Sequence, residues 1–302
     1  VTVVKGAGTE ITTGASNTLI GGESGDNVTT GSSNIAVGSE ALDACTTGNK
    51  NTAVGTQALQ TATTVSNQTA IGYRALKSST TGTENVAVGY QALTANTTGA
   101  RNTACGIYAL ENNTTGDDNT ALGRNTLAAN TTGSYNIAIG YNSLDANTTA
   151  SSNLAIGYES LTANTTGTKN AGLGNNTLAA NTTGASNSAV GYNALAANTT
   201  GSNNTAVGQG ALLTNSTGSD NVAVGDDALR LNTGSQNTAV GTDCLDDNTA
   251  SNNTGVGYRA LYQNTTGTLN TAVGQNALAV NTTGTQNVAF GNSALDASNA
   301  DN

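Results

Sequence analysis

A short motif recurs along almost the whole chain, and its spacing restricts the folds that the chain can adopt. The glycine that ends each Asn-x-Ala-Val-Gly string falls 17 residues after the previous one, except before Gly241 and Gly257, where the step is 16. The consensus is N-T-A-V-G-x-x-A-L-x-x-N-T-T-G-x-x, and we number its positions 1 to 17, so that Asn51 is position 1. Seventeen such units follow one another, which is typical of solenoids and other repeat architectures.

The residue types within each unit predict strands and turns. Asn, Thr and Gly dominate the repeat, and these residues favour turns or strands over helices. We therefore predict an all-β protein, a parallel β-solenoid or β-roll of about 17 coils, with one coil per 17-residue unit and short strands at Thr-Ala-Val and Ala-Leu. Residues 1–14 are expected to form a leading segment or a partial coil, and 15–302 a single continuous repeat array, interpreted as a fragment of a longer fibre.

Two columns of identical residues are expected to hold successive coils together. Position 1 is Asn in every unit except one, where Gln68 replaces it, and stacked Asn side chains can form amide ladders. The predicted ladder includes Asn51, Asn102, Asn136, Asn204 and Asn270. Position 9 is Leu in 16 units and predicts a core column that includes Leu59, Leu110, Leu161, Leu212 and Leu261. The two 16-residue units each lose one residue from Asn-Thr-Thr-Gly, which indicates a tolerant surface turn at that corner.

Two pairs of adjacent apolar positions, 3–4 and 8–9, suggest that the coil does not exist alone. Adjacent side chains of a strand point to opposite faces, so one residue of each pair should point outward. Long outward apolar stripes normally mark an interface, and three-fold closure can hide one stripe per chain around an axis. We therefore expect a homotrimer, parallel and in register. The alternative is a flattened monomeric solenoid that tucks both pairs into tight corners.

The repeat is similar to the repeats of a known family. The units Asn51–Leu59 (NTAVGTQAL) and Asn270–Leu278 (NTAVGQNAL) resemble the head repeats of trimeric autotransporter adhesins and the similar arrays of phage tail-fibre proteins, over residues 15–302. The resemblance implies a trimer of parallel β-rolls on a virion or bacterial cell surface, hence extracellular. It also implies a structural or adhesive fibre segment that spaces and presents host-attachment sites. The adhesin head unit is shorter, and the extra residues here fall at Asn-Thr-Thr.

Composition argues against several other functions. The chain has no His, so the usual general base, the Ser-His-Asp triad and His-ligated metal sites are absent. Its carboxylates are scattered without a matched pair of the kind that glycoside hydrolysis uses, so we expect no enzymatic activity, no cofactor and no metal. The net charge of −10 disfavours nucleic acid. No apolar run approaches the ~18 residues of a transmembrane helix, so we expect no membrane insertion.

A column of tyrosines is the candidate binding site. Six of the nine tyrosines share position 6, directly after the corner glycine: Tyr73, Tyr90, Tyr141, Tyr158, Tyr192 and Tyr258. Amphipathic rings at an exposed groove can stack on the sugars of a host glycan, which makes a glycan-binding module the main alternative function. The other interpretation is that the rings only cover the edge of a subunit seam.

Three further features carry weaker hypotheses. Each Asn-Thr-Thr string formally matches an N-glycosylation acceptor. Stacked threonines suggest ice binding as a less favoured alternative, because adjacent threonines alternate in direction and no flat two-row array is guaranteed. Cys45, Cys105 and Cys244 fall in different positions of the repeat, several coils apart, which excludes a disulfide within one chain. We interpret them as small buried fillers, with a contact between symmetry-related chains as the alternative.

Overall fold

A computed structural model describes residues 6–296 of the protein, and within that range the chain is an all-β solenoid of about 16 turns without a helix. It divides into two compact units, Val1–Ser152 and Asn153–Asn302. Every strand is three residues long and occupies positions 2 to 4 of the repeat. The first unit contains β1 (Thr18–Ile20), β2 (Ile35–Val37), β3 (Thr52–Val54), β4 (Thr69–Ile71), β5 (Val86–Val88), β6 (Thr103–Cys105), β7 (Thr120–Leu122) and β8 (Ile137–Ile139). The second contains β9 (Leu154–Ile156), β10 (Ala171–Leu173), β11 (Ser188–Val190), β12 (Thr205–Val207), β13 (Val222–Val224), β14 (Thr238–Val240), β15 (Thr254–Val256), β16 (Thr271–Val273) and β17 (Val288–Phe290).

Within each unit, neighbouring strands pair in parallel and in register, one coil apart. Ala53 of β3 lies opposite Ala70 of β4, and Ala206 of β12 lies opposite Ala223 of β13. Where the corner is one residue shorter, the register is kept at 16 residues, as between Val224 and Val240. The predicted parallel β-solenoid with a 17-residue repeat is therefore confirmed.

Side chains alternate along each strand as the repeat predicts. The position 3 residue, such as Ala53 or Ala206, is fully buried in the coil. Positions 2 and 4 point outward, where Val207 stays 38% exposed and Leu122 47%. Since position 3 is almost always Ala, the strand contributes only a methyl group per coil to the interior. The larger interior side chains come from other positions of the repeat.

The Ala-Leu segment does not form the second strand that we predicted from the sequence. Positions 8 and 9 lie in a turn, and both Ala58 and Leu59 are fully buried. The backbone of Leu59 is left-handed, with φ at 51°, and this conformation breaks the alternation of a strand, so both side chains of the pair point inward. Consequently, the expectation that one residue of the 8–9 pair faces outward is wrong, and only the 3–4 pair supplies an outward apolar row.

A left-handed Leu costs on the order of 1–2 kcal/mol, so the surrounding structure must hold it in place. The N–H of Leu59 donates to the Ala75 carbonyl of the next coil at 3.0 Å, and its own carbonyl accepts from the Ala62 N–H at 3.3 Å. The isobutyl group is entirely out of water, and burying it is worth roughly 1.5–3 kcal/mol. Burial and hydrogen bonding thus offset the backbone strain.

The position 5 glycines are required by both backbone conformation and space. Gly106 has φ at 146°, and a Cβ built on it would lie 2.2 Å from the Gly123 carbonyl oxygen of the next coil. No side chain fits between two backbones at that distance. Glycine at this position therefore sets how closely the coils stack.

Asparagine forms two buried ladders. In the position 1 ladder, the Asn119 N–H donates to Asn102 Oδ1 at 2.9 Å. In the position 12 ladder, Asn113 Nδ2 donates to Asn96 Oδ1 at 2.8 Å. Both ladders share one acceptor, because Asn102 Nδ2 and Asn113 Nδ2 donate to the same Gly116 carbonyl at 2.8 and 3.0 Å. The amides are completely buried, and such burial is tolerated only when the polar atoms are hydrogen-bonded.

The Asn-Thr-Thr-Gly corner is only partly a surface turn. In the coil of Asn96, the two threonines face outward, whereas Asn96 and Gly99 are buried. The shortened unit at Asn232-Thr233-Gly234 keeps the interior residues and drops one threonine. The tolerance of this corner to deletion therefore belongs to positions 13 and 14 alone.

Candidate functional site

Each coil presents three outer surfaces, which differ in chemistry. The sheet face consists of positions 2 and 4 of the strands. The tyrosine wall consists of positions 6, 7, 10 and 11. The threonine wall consists of positions 13, 14, 16 and 17. A binding site outside the coil must use one of these three surfaces.

The sheet face carries no charged residue in any of the strands β1 to β17. Position 4 holds Val, Ile or Leu in nearly every strand, and position 2 holds Thr or an aliphatic residue in most. Several of these aliphatic side chains are more than a third exposed, among them Ile71, Leu173, Val190 and Val224. Each unit thus has an uncharged apolar surface that its own chain leaves in contact with water, and such surfaces mark interfaces.

The tyrosine wall contains most of the charge. Between Glu23 and Asp296, its positions hold 13 carboxylates and five basic side chains. Burial raises the pKa of Asp43, and the nearby charges of Glu23, Asp26 and Glu40 raise it further. An uncompensated excess of one charge disfavours contact between two copies of the same wall, since like charges then face each other.

A second acidic cluster on this wall is partly neutralised by arginines. Arg230 forms a two-point ion pair with Asp246, with Nε–Oδ1 at 2.7 Å and Nη2–Oδ2 at 2.9 Å. Arg259 pairs with Asp243 at 3.0 Å. Burial raises the pKa of Asp227, and the neighbouring charge of Asp226 raises it further. Within residues 6–296, no group of three or more His, Cys, Asp or Glu side chains is arranged to hold a metal ion.

The six tyrosines predicted to form a column all lie on the tyrosine wall, but their rings are not equivalent. Tyr73 and Tyr90 stack on each other, with ring centroids 5.2 Å apart and planes 22° apart. Arg74 lies 4.9 Å from the Tyr73 centroid. Elsewhere, Arg124 lies 5.9 Å from the Tyr141 ring and Arg259 5.0 Å from the Tyr258 ring, while Tyr158 and Tyr192 are about half exposed. The six rings therefore share one wall, but the contacts made by their faces differ from coil to coil.

Two tyrosines at this wall were missed by the sequence argument: Tyr262 at position 10, whose ring lies 5.0 Å from Arg259, and Tyr108. Tyr108 occupies position 7 and so falls outside the position 6 column, yet its ring lies 5.5 Å from that of Tyr90, at 89°. The preceding residue, Ile107, is 45% exposed. A search for aromatic residues on neighbouring coils, irrespective of position, would have found Tyr108.

A chain of contacts holds the Tyr73 side of this cluster in place. Gln57 donates from Nε2 to Glu40 at 2.8 Å, and Arg74 donates from Nε to Gln57 Oε1 at 2.7 Å. The Thr94 hydroxyl donates to the Arg74 carbonyl at 2.8 Å. The Arg74 guanidinium is thereby fixed above the Tyr73 ring, where a cation is attracted to the ring face.

The threonine wall is polar and presents one exposed row of threonines. The position 13 hydroxyl is hydrogen-bonded within the chain. For example, Thr97 Oγ1 donates to the Thr114 carbonyl at 3.0 Å. Position 14, such as Thr98, is exposed. A single row is not the flat two-row array that ice binding at Asn-Thr-Thr would require. A shallow polar groove of about 340 Å³ on this wall is lined by Ser32, Ser33, Asn49, Lys50, Ser66 and Asn67.

The glycosylation acceptors of the Asn-Thr-Thr strings are inside the coil. The asparagines that begin Asn-Thr-Thr are all buried: Asn96, Asn113, Asn130, Asn147, Asn164, Asn181, Asn198, Asn264 and Asn281. In the ladder, Nδ2 of Asn113 donates two hydrogen bonds, so it cannot carry a glycan in the folded chain. The match to an acceptor motif is a consequence of the ladder.

Replacing Asn113 by alanine should destabilise its coil by about 2–5 kcal/mol, because buried polar atoms left unpaired cost about 1–3 kcal/mol each. Asn96 Oδ1 loses its donor, and Asn130 Nδ2 loses one of its two acceptors and keeps only the Gly133 carbonyl. Urea unfolding measures the loss. The matched control is Thr115→Ala, an exposed residue of the same corner, for which we expect a change within about 0.5 kcal/mol. Equal effects of the two substitutions would contradict a structural role for the ladder.

The three cysteines differ in their surroundings. Cys45 fills position 12 and Cys244 fills position 8, and both are buried. Burial raises the pKa of the Cys244 thiol to about 12, which keeps it unreactive. Cys105 is the position 4 residue of β6 and is partly exposed on the sheet face. The interpretation as a buried filler is therefore wrong for Cys105.

Comparisons with protein families and with curated proteins identify no relative of this chain: no protein-family model and no curated protein matches it. Among residues 6–296, no helix is long and apolar enough to cross a membrane. A functional assignment therefore rests on the three surfaces themselves.

Proposed function

We propose that this chain is a segment of a structural, adhesive fibre whose copies associate side by side, as a parallel homotrimer, through the sheet face. One observation carries the proposal: in both units, the sheet face is uncharged and carries aliphatic side chains that are more than a third exposed. Soluble chains rarely leave apolar surface of this extent in water unless a partner covers it. The other two walls are charged or polar, which suits surfaces that stay in water.

The interior of the coil supports the same arrangement. Leu at position 9 and Ala at position 8 are buried within a single chain, so a coil needs no partner to complete its core. Only the outward side chains of the sheet face, at positions 2 and 4, gain from association. Because three copies around an axis hide one face per chain in a closed assembly, a trimer covers the sheet face and leaves the tyrosine and threonine walls on the outside.

A surface of this kind suits a spacer that holds attachment sites away from a virion or a bacterial cell. The resemblance of Asn51–Leu59 and Asn270–Leu278 to adhesin and tail-fibre repeats supports this extracellular role. The repeat itself supports it too, because stacked coils lengthen a structure by simple addition of units.

Sedimentation of the native protein should give a mass near three times 29.7 kDa. The double substitution Val207→Lys, Val224→Lys should shift the mass to that of the monomer, because it places two charges in adjacent strands of the sheet face. Both side chains point outward, so the circular dichroism of the coil should be retained.

The matched control is Thr200→Lys, Thr217→Lys, which places the same charges on exposed residues of the threonine wall. This control should remain a trimer. A monodisperse native monomer, or dissociation of the control to the same extent as the valine variant, would overturn the proposal.

A further inference from the structure

Three successive coils of the first unit bring aromatic and aliphatic side chains together on the tyrosine wall. We call the group of Tyr73, Tyr90, Ile107 and Tyr108 the aromatic patch. Tyr90 and Ile107 are each more than two fifths exposed, and the ring of Tyr90 contacts those of Tyr73 and Tyr108 at centroid distances of 5.2 and 5.5 Å. The patch lies on a different surface from the sheet face, so assembly through the sheet face leaves it free.

The three rings of the patch differ in the neighbours that contact them, and therefore in how a ligand can reach them. Tyr73 has Arg74 over its ring and stacks on Tyr90. Tyr108 lies one coil further on, and its ring meets that of Tyr90 in an edge-to-face contact with the planes 89° apart. In this arrangement the stacked pair forms a side wall, and the plane of the Tyr108 ring is at about a right angle to that of Tyr90.

Charge decides which class of ligand such a corner can hold. The tyrosine wall as a whole has an excess of carboxylates, which repels phosphate-rich and other anionic partners. Around the patch itself the charges nearly cancel: Arg74, Lys77 and Arg124 carry three positive charges, and Glu40 and Glu111 carry two negative ones. A neutral ligand is therefore favoured over a strongly charged one.

A neutral pyranose combines the two properties that the patch offers. Its C–H face is apolar and can lie on an aromatic ring, while its hydroxyl groups need hydrogen-bonding partners at the rim. Tyrosine rings supply a rigid apolar face and a polar hydroxyl together, and Gln91 and Glu111 provide amide and carboxylate groups on the same wall. Binding sites of this composition, apolar with a few polar groups, are typical for small ligands.

We propose that the aromatic patch binds a neutral pyranose of a surface glycan, with the ring of Tyr108 as the stacking platform. This inference rests on the proposed function, because a fibre displayed outside a cell or virion is what meets such glycans. The chain of hydrogen bonds from Glu40 through Gln57 to Arg74 holds the far side of the patch rigid. Binding therefore requires little ordering of the stacked pair.

The test uses the full chain on an array of neutral hexose and N-acetylhexosamine oligosaccharides, followed by calorimetric titration with the oligosaccharide retained most strongly. Tyr108→Ala should weaken binding about tenfold or more, since it removes the aromatic contact. Tyr108→Phe keeps the ring and should stay within about threefold. The matched control is Tyr135→Ala, which removes a tyrosine that is 64% exposed on the threonine wall and should leave binding unchanged.

Two readouts separate this inference from the proposed function. Failure of every neutral oligosaccharide to bind, or equal binding by the Tyr108→Ala and Tyr135→Ala variants, would overturn the glycan site while a trimer mass still supported the fibre. Selective loss in Tyr108→Ala at an unchanged sedimentation mass would support the site. A native monomer that still lost binding in Tyr108→Ala would overturn the fibre and leave the patch as a glycan site.

Discussion

Gly106→Ala should destabilise the chain by about 3–5 kcal/mol, because strain and overpacking each cost about 1–3 kcal/mol. The residue has φ at 146°, which a side chain rarely adopts, and its Cβ would lie 2.2 Å from the Gly123 carbonyl oxygen. The neighbour is backbone of the next coil, so it can move aside only by breaking the hydrogen bond from Gly123 N–H to the Cys105 carbonyl, 2.8 Å. Denaturant unfolding together with amide hydrogen exchange measures the effect and locates it.

The matched control for this substitution is Gly22→Ala. Gly22 has no left-handed φ, and a Cβ built on it meets nothing within 4 Å. We expect Gly22→Ala to be neutral or to stabilise the chain by up to about 1 kcal/mol, through the smaller entropy of the unfolded state. If both glycine substitutions had the same effect, the close stacking at position 5 would not be a determinant of the fold.

Leu161→Ala should cost about 2–5 kcal/mol, the usual range for removing a buried Leu side chain. Leu161 is fully buried in its own chain, so the loss should not depend on the oligomeric state. Leu161→Asp should be worse, because it places a carboxylate without a partner in the interior. Since coils contact mainly their neighbours, faster amide exchange should be confined to the coils next to β9 and β10.

Thr166→Asp is the control for the leucine substitutions, because Thr166 is an exposed residue at the corner of the same coil. A change within about 0.5 kcal/mol is expected there. A loss as large as that of Leu161→Asp would mean that core and corner had been exchanged in our description.

Much of the fold was predictable from the sequence, because the repeat imposes the same environment on every copy of a residue. The 17-residue spacing predicts one coil per unit. The string Thr-Ala-Val predicts a strand with one residue of its apolar pair inside, and Asn at position 1 predicts an amide ladder. The structure contains each of these, for example in the pairing of Ala53 with Ala70 and in the hydrogen bond from Asn119 to Asn102.

The candidate site was less predictable, because a column of sequence positions does not specify how rings are oriented. Position 6 pointed to Tyr73 and Tyr90, but Tyr108 at position 7 completes the cluster. A one-residue difference along the chain was enough to hide it. Contacts between coils depend on side-chain rotamers and on the stacking of backbones, which the repeat alone does not reveal.

By itself, the sequence determined the class of fold, the length of the coil and the identity of its strand. The tertiary structure alone decided which apolar residues turn outward. Leu59 and its counterparts adopt a left-handed φ, so that both members of the Ala-Leu pair face inward and the sheet face remains as the outward apolar surface. A backbone angle of this kind is unfavourable for Leu in isolation. It arises here only because stacking on the next coil stabilises it, and that stacking exists only in the folded chain.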